Sequence, residues 1–84
     1  MYCVFLLRAA ERDLNRLSAK LFNRMIRAIQ GLAKDPRPPG CRKLTGSEND
    51  WRILVGDYRI VYEIDDASRE IRVNRIRHRR EVYR

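Results

Sequence analysis

Features typical of metal, redox and membrane proteins are absent from this sequence of 84 residues. Its only two cysteines, Cys3 and Cys41, have neither metal-site nor redox-motif spacing, and we interpret them as free, buried thiols. No apolar run is long enough to span a membrane, and residues 2–7 lack the flanking features of a signal peptide. We therefore expect a cytoplasmic protein without a membrane partner, a metal or a small-molecule cofactor.

Acidic side chains are scarce relative to basic ones. The sequence has 19 lysines and arginines against 11 aspartates and glutamates, a formal net charge of +8. Residues 69–84 alone contain seven arginines and two glutamates. Charge of this kind informs on partners rather than on fold, and it favours a polyanion such as a nucleic acid. The length predicts one small domain, residues 1–84, with a modest core.

The first half of the chain predicts a strand followed by two helices. Residues 2–7 are strand-forming and apolar, and we expect them to form a buried strand. Ser18 is a suitable N-cap for the second helix, which Asp35 and Pro36 end. Apolar residues recur at helical spacing through both segments: Ala10, Leu14, Leu17 and Leu21, then Phe22, Met25, Ile26, Ile29 and Leu32. The pattern predicts a helical hairpin.

In the second half, the apolar period changes from 3.6 to 2. Gly56 and Asp57 fit a two-residue hairpin turn, residues 65–68 the next turn, and Ile71 with Val73 a last strand that extends towards Ile76. The sequence therefore predicts an α+β fold. A helical hairpin packs on one face of a small, mainly antiparallel four-stranded sheet, in the order β-α-α-β-β-β.

The hairpin register predicts which side chains share a face of this sheet. A two-residue loop places Leu54 opposite Arg59 and Arg52 opposite Val61. Arg52 and Arg59 are then diagonal neighbours on the face away from the helices. The alternate residues face the helices, so we interpret Trp51 as a core residue rather than a base-stacking one.

Four segments in this order resemble the RelE toxins of bacterial and archaeal toxin–antitoxin systems, in the RelE/ParE superfamily. They are residues 43–46 (KLTG), 51–53 (WRI), 56–64 (GDYRIVYEI) and 78–84 (HRREVYR). The resemblance covers nearly the whole chain. It implies metal-independent cleavage of messenger RNA at the ribosome by attack of the ribose 2′-hydroxyl on the adjacent phosphate. It also implies a RelB-like protein antitoxin as partner.

The resemblance also implies roles for individual residues. Arg59 and Arg79 are the expected catalytic arginines, Tyr83 is expected to stack on a base or orient the nucleophile, and Arg52 is expected to bind phosphate. Some relatives have a lysine where this chain has Leu54, so a general base of that kind is missing. We assign further RNA contacts to Lys43, Arg77 and Arg80.

Each assignment has a structural alternative. Arg59 could instead pair with Glu63 or Asp50, and Tyr83 could seal the sheet edge. His78 is the sole histidine, and its side chain normally titrates near neutrality, so we include it as a catalytic acid–base candidate. The alternative for His78 is an RNA contact or a structural residue at the strand end.

Three functions remain open from the sequence. The leading one is the ribosome-dependent endonuclease. The second is inhibition of DNA gyrase in the manner of ParE, without nuclease chemistry. The third is a catalytically weak relative that binds only RNA or an antitoxin, which Leu54 keeps possible.

Overall fold

A computed structural model describes residues 1–82 and shows two helices packed on a mixed five-stranded sheet. The sheet order is β1-β5-β4-β3-β2, with β1 parallel to β5 and the other neighbours antiparallel. The elements are β1 (Cys3–Leu6), α1 (Arg8–Asn15), α2 (Ala19–Lys34), β2 (Arg42–Lys43), β3 (Asp50–Val55), β4 (Tyr58–Asp65), β5 (Glu70–His78) and α3 (Arg79–Val82).

The predicted α+β class is confirmed, but the sheet has five strands rather than four. The additional strand is β2, whose two residues pair with Arg52 and Trp51 of β3. Two residues are too few to give an alternating apolar pattern, so the sequence carries no signal for this strand. The four-residue α3, which the prediction also lacked, follows directly after β5.

The prediction that residues 2–7 form a buried strand is correct in type and wrong in burial. β1 lies at one edge of the sheet, where Phe5 is 48% exposed and Cys3 is exposed as well. Cys41 is only partly buried, so the expectation of two buried thiols is also wrong. A short apolar run has the same appearance whether one or both of its faces are covered.

The helical hairpin forms as the sequence predicts. Ser18 caps α2, its hydroxyl oxygen accepting a hydrogen bond from the amide of Leu21 at 3.3 Å, and α2 ends at Lys34. The two helices cover the sheet through a common core of apolar side chains, which are Ala10, Leu14, Met25, Ile29, Leu32, Ile53, Ile60, Tyr62, Ile64, Ile71, Val73 and Ile76.

Tyr62 joins this core to the loop after α2. Its hydroxyl donates a hydrogen bond of 2.7 Å to the carbonyl oxygen of Pro36. Burial raises the pKa of the Tyr62 phenol above its ordinary value, so the neutral form is retained. The bond holds the start of the proline-rich loop against the sheet.

The β3–β4 hairpin has the predicted register. Val55 lies opposite Tyr58, Leu54 opposite Arg59 and Arg52 opposite Val61. Gly56 has a φ of 60°, which is the left-handed conformation that the turn requires.

The β4–β5 pairing contains a bulge that the sequence does not show. Val61 pairs with Arg75 but Tyr62 pairs with Val73, so Asn74 is an extra residue in β5. A bulge of one residue reverses which side chains face the core. Val73 and Ile76, three positions apart, are therefore both buried.

Candidate functional site

The sheet face that points away from the helices carries a row of basic side chains. Residues directly opposite one another on neighbouring strands share a face. The register therefore places Leu54, Arg59 and Arg77 side by side, on the face opposite the buried Ile53, Ile60 and Ile76. Arg52 follows Leu54 by two positions in β3 and shares this outer face. We call Arg52, Leu54, Arg59 and Arg77 the arginine end.

Arg59 and Arg77 are direct cross-strand partners. Both side chains are partly buried, and the Nε atom of each is shielded from solvent. Two guanidinium groups beside each other on one face of a sheet suit the binding of an anion such as a phosphate.

A pocket of about 300 Å³ lies at the end of this row. It is lined by Leu54, Gly56, Asp57, Arg59 and Arg79. The amide of Arg79 donates a 2.8 Å hydrogen bond to the carbonyl oxygen of Asp57, and the Arg79 Nη1 atom is 4.0 Å from the Asp57 carboxylate. Arg79 thus begins α3 directly beside the β3–β4 turn. The structure brings the two predicted catalytic arginines, Arg59 and Arg79, to one pocket.

Asp57 is a residue of this pocket that the sequence assigned only to a turn. Among the side chains that the structure describes, it is the one carboxylate in the pocket lining, and it is 70% exposed. Nothing in the sequence distinguishes a turn aspartate from a functional one. The contact depends on the position of α3, which no local pattern predicts.

Arg52 is tied to the neighbouring loop. Its Nη1 atom donates a 3.2 Å hydrogen bond to the carbonyl oxygen of Gly40, and Arg42 is its direct partner on β2. Arg42 therefore stands on the outer face beside the arginine end. Lys43 lies opposite Trp51, on the helix side by register, and the structure does not bring it to the arginine end.

His78 is not brought to the pocket either. It lies opposite Tyr58 on β4, and the two rings meet edge to face with centroids 5.2 Å apart. Its Nδ1 atom accepts a 3.2 Å hydrogen bond from the amide of Arg80. This places His78 on the helix side of β5, while Arg77 faces outward. Arg80 is exposed in α3.

Trp51 lies on the core face, as the register predicts. Its ring packs against the core and is covered by the Arg37 guanidinium at 4.9 Å from the ring centroid. Tyr83 lies outside the described residues.

The free edge of β5 near the arginine end is held by α1. Asp13 accepts hydrogen bonds from Arg75 Nε at 2.9 Å, from Arg75 Nη2 at 3.1 Å and from the Ile76 amide at 2.8 Å. Burial alone would raise the pKa of Asp13, but these hydrogen bonds outweigh burial and hold the pKa below its ordinary value. Asp13 therefore fixes the strand segment that carries Arg77.

At the opposite end of the same face, an arginine is paired with two glutamates. Arg72 donates to Glu63 at 3.2 Å and to Glu70 at 2.7 Å. Glu63 and Arg72 are direct cross-strand partners, as Arg59 and Arg77 are at the other end. We call Glu63, Glu70 and Arg72 the paired end. Glu63, an alternative partner predicted for Arg59, is thus engaged by Arg72.

The sequence of this chain matches a family model described as the ParE toxin of the type II toxin–antitoxin system parDE, over residues 4–83. Toxin RelG of Mycobacterium tuberculosis is 31% identical over 99% of this chain and 97% of that protein. The chain belongs to the RelE/ParE superfamily of toxins. It is thus the toxin of a type II toxin–antitoxin system.

Solved structures agree on the fold of this toxin. An archaeal RelE–RelB complex from Pyrococcus horikoshii OT3 matches with a TM-score of 0.83 and 23% identity, covering 93% of this chain and 94% of that one. The RelBE2 complex of M. tuberculosis matches with a TM-score of 0.82 and 24% identity, covering 92% and 96%. The isolated RelE toxin of E. coli matches with a TM-score of 0.80 and 19% identity, covering 93% and 84%.

The part of the toxin that the structure describes has neither a metal-binding cluster nor a membrane-spanning helix. Within residues 1–82, no cluster of three or more His, Cys, Asp or Glu side chains could hold a metal ion. None of the helices there has the length and apolar character needed to cross a membrane.

Proposed function

We propose that this toxin is an endoribonuclease that cleaves messenger RNA at the ribosome. The observation that carries the proposal is the convergence of Arg59 and Arg79 on one pocket, with Arg77 directly beside Arg59. A guanidinium group binds a phosphate through two parallel hydrogen bonds. A pocket of about 300 Å³ with two arginines in its wall suits one phosphodiester and the adjoining ribose.

In this reaction the ribose 2′-oxygen forms a bond to the adjacent phosphorus and the bond to the 5′-oxygen breaks. The products are a 2′,3′-cyclic phosphate and a 5′-hydroxyl. Arg59, Arg77 and Arg79 would stabilise the extra negative charge on the phosphorane oxygens. Arginine retains its protons in proteins, so none of the three accepts the 2′-hydroxyl proton.

We assign acceptance of that proton to Asp57, which lines the pocket beside Arg59 and Arg79. A carboxylate within hydrogen-bond reach of the nucleophile is a suitable general base. Water would return the proton to the departing 5′-oxygen. His78 remains the second candidate, and Asp57→Asn and His78→Gln separate the two. The assignment to Asp57 requires that only the first substitution abolish cleavage.

The testing experiment is primer extension on a defined mRNA in a reconstituted translation mixture. Wild type is compared with Arg59→Ala, Arg79→Ala and, as a control of equal charge change, Arg12→Ala, which is exposed on α1. We expect cuts in frame with the stalled decoding site, lost in the first two variants and kept in the third. Uncut mRNA with wild type would reject the proposal.

Inhibition of DNA gyrase is the second candidate function. The observation in its favour is that the matching family model is that of the ParE toxin. A supercoiling assay tests it directly. Inhibition that survives both arginine substitutions would favour this candidate over the nuclease.

We also propose a RelB-like protein antitoxin and a cytoplasmic site of action beside the ribosome. Structures of similar toxins from M. tuberculosis, P. horikoshii and E. coli are of RelB–RelE or RelBE complexes. With a net charge of +8, the chain favours an acidic partner segment.

A further inference from the structure

All three prolines of this chain lie in residues 36–40, within the segment that leads from α2 to β2. A proline ring fixes its own φ angle, and it also restricts the residue before it to extended conformations. We call residues 36–40 the proline loop. Because few of its backbone angles can change, a contact that holds one end of the proline loop also determines the position of the other end.

Arg37 holds the first end of the proline loop. Its guanidinium donates two hydrogen bonds to the carboxylate of Asp66 in the turn between β4 and β5, from Nη2 to Oδ2 at 2.9 Å and from Nη1 to Oδ1 at 3.4 Å. The Tyr2 hydroxyl donates to the same carboxylate. These hydrogen bonds, above all that from Arg37, hold the pKa of Asp66 below its ordinary value, so the carboxylate stays charged. The guanidinium also covers the Trp51 ring, which places Arg37 on the helix side of the sheet.

Arg52 lies at the other end of the proline loop. Gly40 has a φ of 88°, in the left-handed region that favours glycine, and its carbonyl oxygen accepts the 3.2 Å hydrogen bond from Arg52 Nη1. A guanidinium has five N–H donors, so one bond to the loop orients Arg52 and leaves donors for a phosphate. The direction in which Arg52 points therefore depends on where the proline loop places the Gly40 carbonyl.

The proline loop contacts two consecutive residues of β3 that face opposite ways. Side chains alternate along a strand, so Trp51 faces the helices and Arg52 faces the outer surface. Arg37 contacts the first of these residues and Gly40 the second. The loop thus connects the β4–β5 turn, at the end of β4 away from the arginine end, with a guanidinium on the face where we expect RNA.

The ion pair between Arg37 and Asp66 contributes little to stability. The two side chains are 41% and 56% exposed, and exposed ion pairs of this kind seldom change the free energy of unfolding measurably. Substitution of either residue should therefore leave the chain folded. The consequence of the pair is geometric, because it selects one position of the proline loop.

We propose that Arg37 is a positioning residue for RNA binding. Its ion pair with Asp66 holds the proline loop, and the Gly40 carbonyl then orients Arg52 towards an RNA phosphate. Arg37 itself does not touch the RNA. The choice of RNA as ligand rests on the proposed function, whereas the coupling of Arg37 to Arg52 is also measured without RNA.

The first test uses the sign of a charge change. Asp66→Ala makes the chain more positive, and long-range attraction alone would tighten its binding to RNA. Loss of the positioning contact should instead weaken binding about threefold, towards the lower end of the coupling between neighbouring residues. The probe is a short, fluorescent single-stranded RNA with 2′-O-methyl riboses, whose 2′-oxygens cannot attack the phosphate.

Glu11→Ala, an exposed residue of α1, is the matched control for this charge change and should bind no more weakly than wild type. Wild-type or tighter affinity in Asp66→Ala would overturn the proposal, and so would the absence of saturable binding by the wild type.

A double-mutant cycle locates the effect at Arg52. Arg52→Gln should weaken binding about tenfold, the loss expected for one hydrogen-bonded charged group. Arg27→Gln, on the exposed side of α2, removes the same charge as Arg37→Gln and measures the long-range effect alone. Beyond that effect, Arg37→Gln should weaken binding about threefold in the wild-type background and not at all beside Arg52→Gln, where the group that it positions is gone. Equal losses in the two backgrounds would refute the positioning role.

NMR of the chain without RNA tests the coupling directly. The Nε–H signal of Arg52 should move in Arg37→Gln and in Asp66→Ala, and it should stay in place in Arg27→Gln. An Arg52 signal that responds to neither of the first two substitutions would overturn the coupling. Primer extension on the ribosome separates this proposal from the nuclease function. A non-additive cycle without mRNA cleavage would reject the nuclease function alone, and cleavage with an additive cycle would reject the positioning role alone.

Discussion

The arginine end and the paired end share strands β4 and β5 and the same face of the sheet, but the direct cross-strand partners differ in charge. At the paired end, the cross-strand partner of Arg72 is Glu63, and Glu70 binds the same guanidinium. At the arginine end, the cross-strand partner of Arg59 is another arginine, Arg77. The paired end follows the charge complementarity that stabilises sheets, and the arginine end departs from it. Departures of this kind mark the positions where function rather than stability determines the sequence.

The largest expected effect is at the arginine end. Arg59→Ala should lower the single-turnover rate of mRNA cleavage by about 10²–10³, the usual loss for one donor to a developing charge. Cleavage of ribosome-bound mRNA measures the rate, with Arg12→Ala as control. A rate within twofold of wild type would remove Arg59 from the mechanism.

The next largest effect is expected for Asp13, which fixes the segment of β5 that carries Arg77. Asp13→Ala leaves the Ile76 amide and the Arg75 guanidinium without their shared acceptor, and should lower the free energy of unfolding by about 1–3 kcal/mol. Urea denaturation measures the change. Glu11→Ala, an exposed residue of the same helix, is the control and should have almost no effect.

Asp13 also predicts an acid dependence of stability. The pKa of Asp13 in the folded chain is below the ordinary value of 3.8. The contribution of Asp13 to the free energy of unfolding is therefore complete above pH 3.8, and it is lost as the pH falls through the lowered pKa. Wild type should therefore lose stability relative to Asp13→Asn as the pH decreases from 4 to 2. Parallel pH profiles of the two proteins would show that Asp13 is not the linked group.

A smaller effect comes from making the arginine end resemble the paired end. Arg77→Glu places a carboxylate opposite Arg59 and should raise the free energy of unfolding by about 0.2–1 kcal/mol. The same change should abolish mRNA cleavage, because the glutamate would pair with the Arg59 guanidinium and repel the RNA phosphate. Thermal denaturation and primer extension measure the two outcomes, with Arg27→Glu on the exposed side of α2 as control. Lower stability would mean that Arg77 is structural.

The smallest effect is expected at the paired end. Arg72→Gln removes two ion pairs whose side chains are about one-third exposed, so the free energy of unfolding should fall by no more than about 1 kcal/mol. Cleavage should remain at the wild-type rate. If Arg72→Gln were as inactive as Arg59→Ala, the functional contrast between the two ends would disappear.

The sequence predicts most of the fold because the deciding signals are local. Neighbours within a few positions determine the row of apolar residues on α2, its Ser18 cap and the two-residue turn at Gly56 and Asp57. The turn also fixes the register of β3 on β4, so the placement of Leu54 beside Arg59 follows from sequence alone. The site residue missed, Asp57, depends on the position of α3, which is too short to give a pattern.

The sequence by itself determined the order of the helices and strands, the β3–β4 register and the excess of positive charge in residues 69–84. What only the tertiary structure decided is the face on which the residues of β5 lie. The extra residue Asn74 reverses the alternation, so that Arg75 and Arg77 point outward while Ile76 and His78 point to the helix side. Without it, Arg77 would face the helices and His78 the outer surface. Because a bulge is defined by the pairing of two strands, the sequence of β5 alone could not place Arg77 beside Arg59.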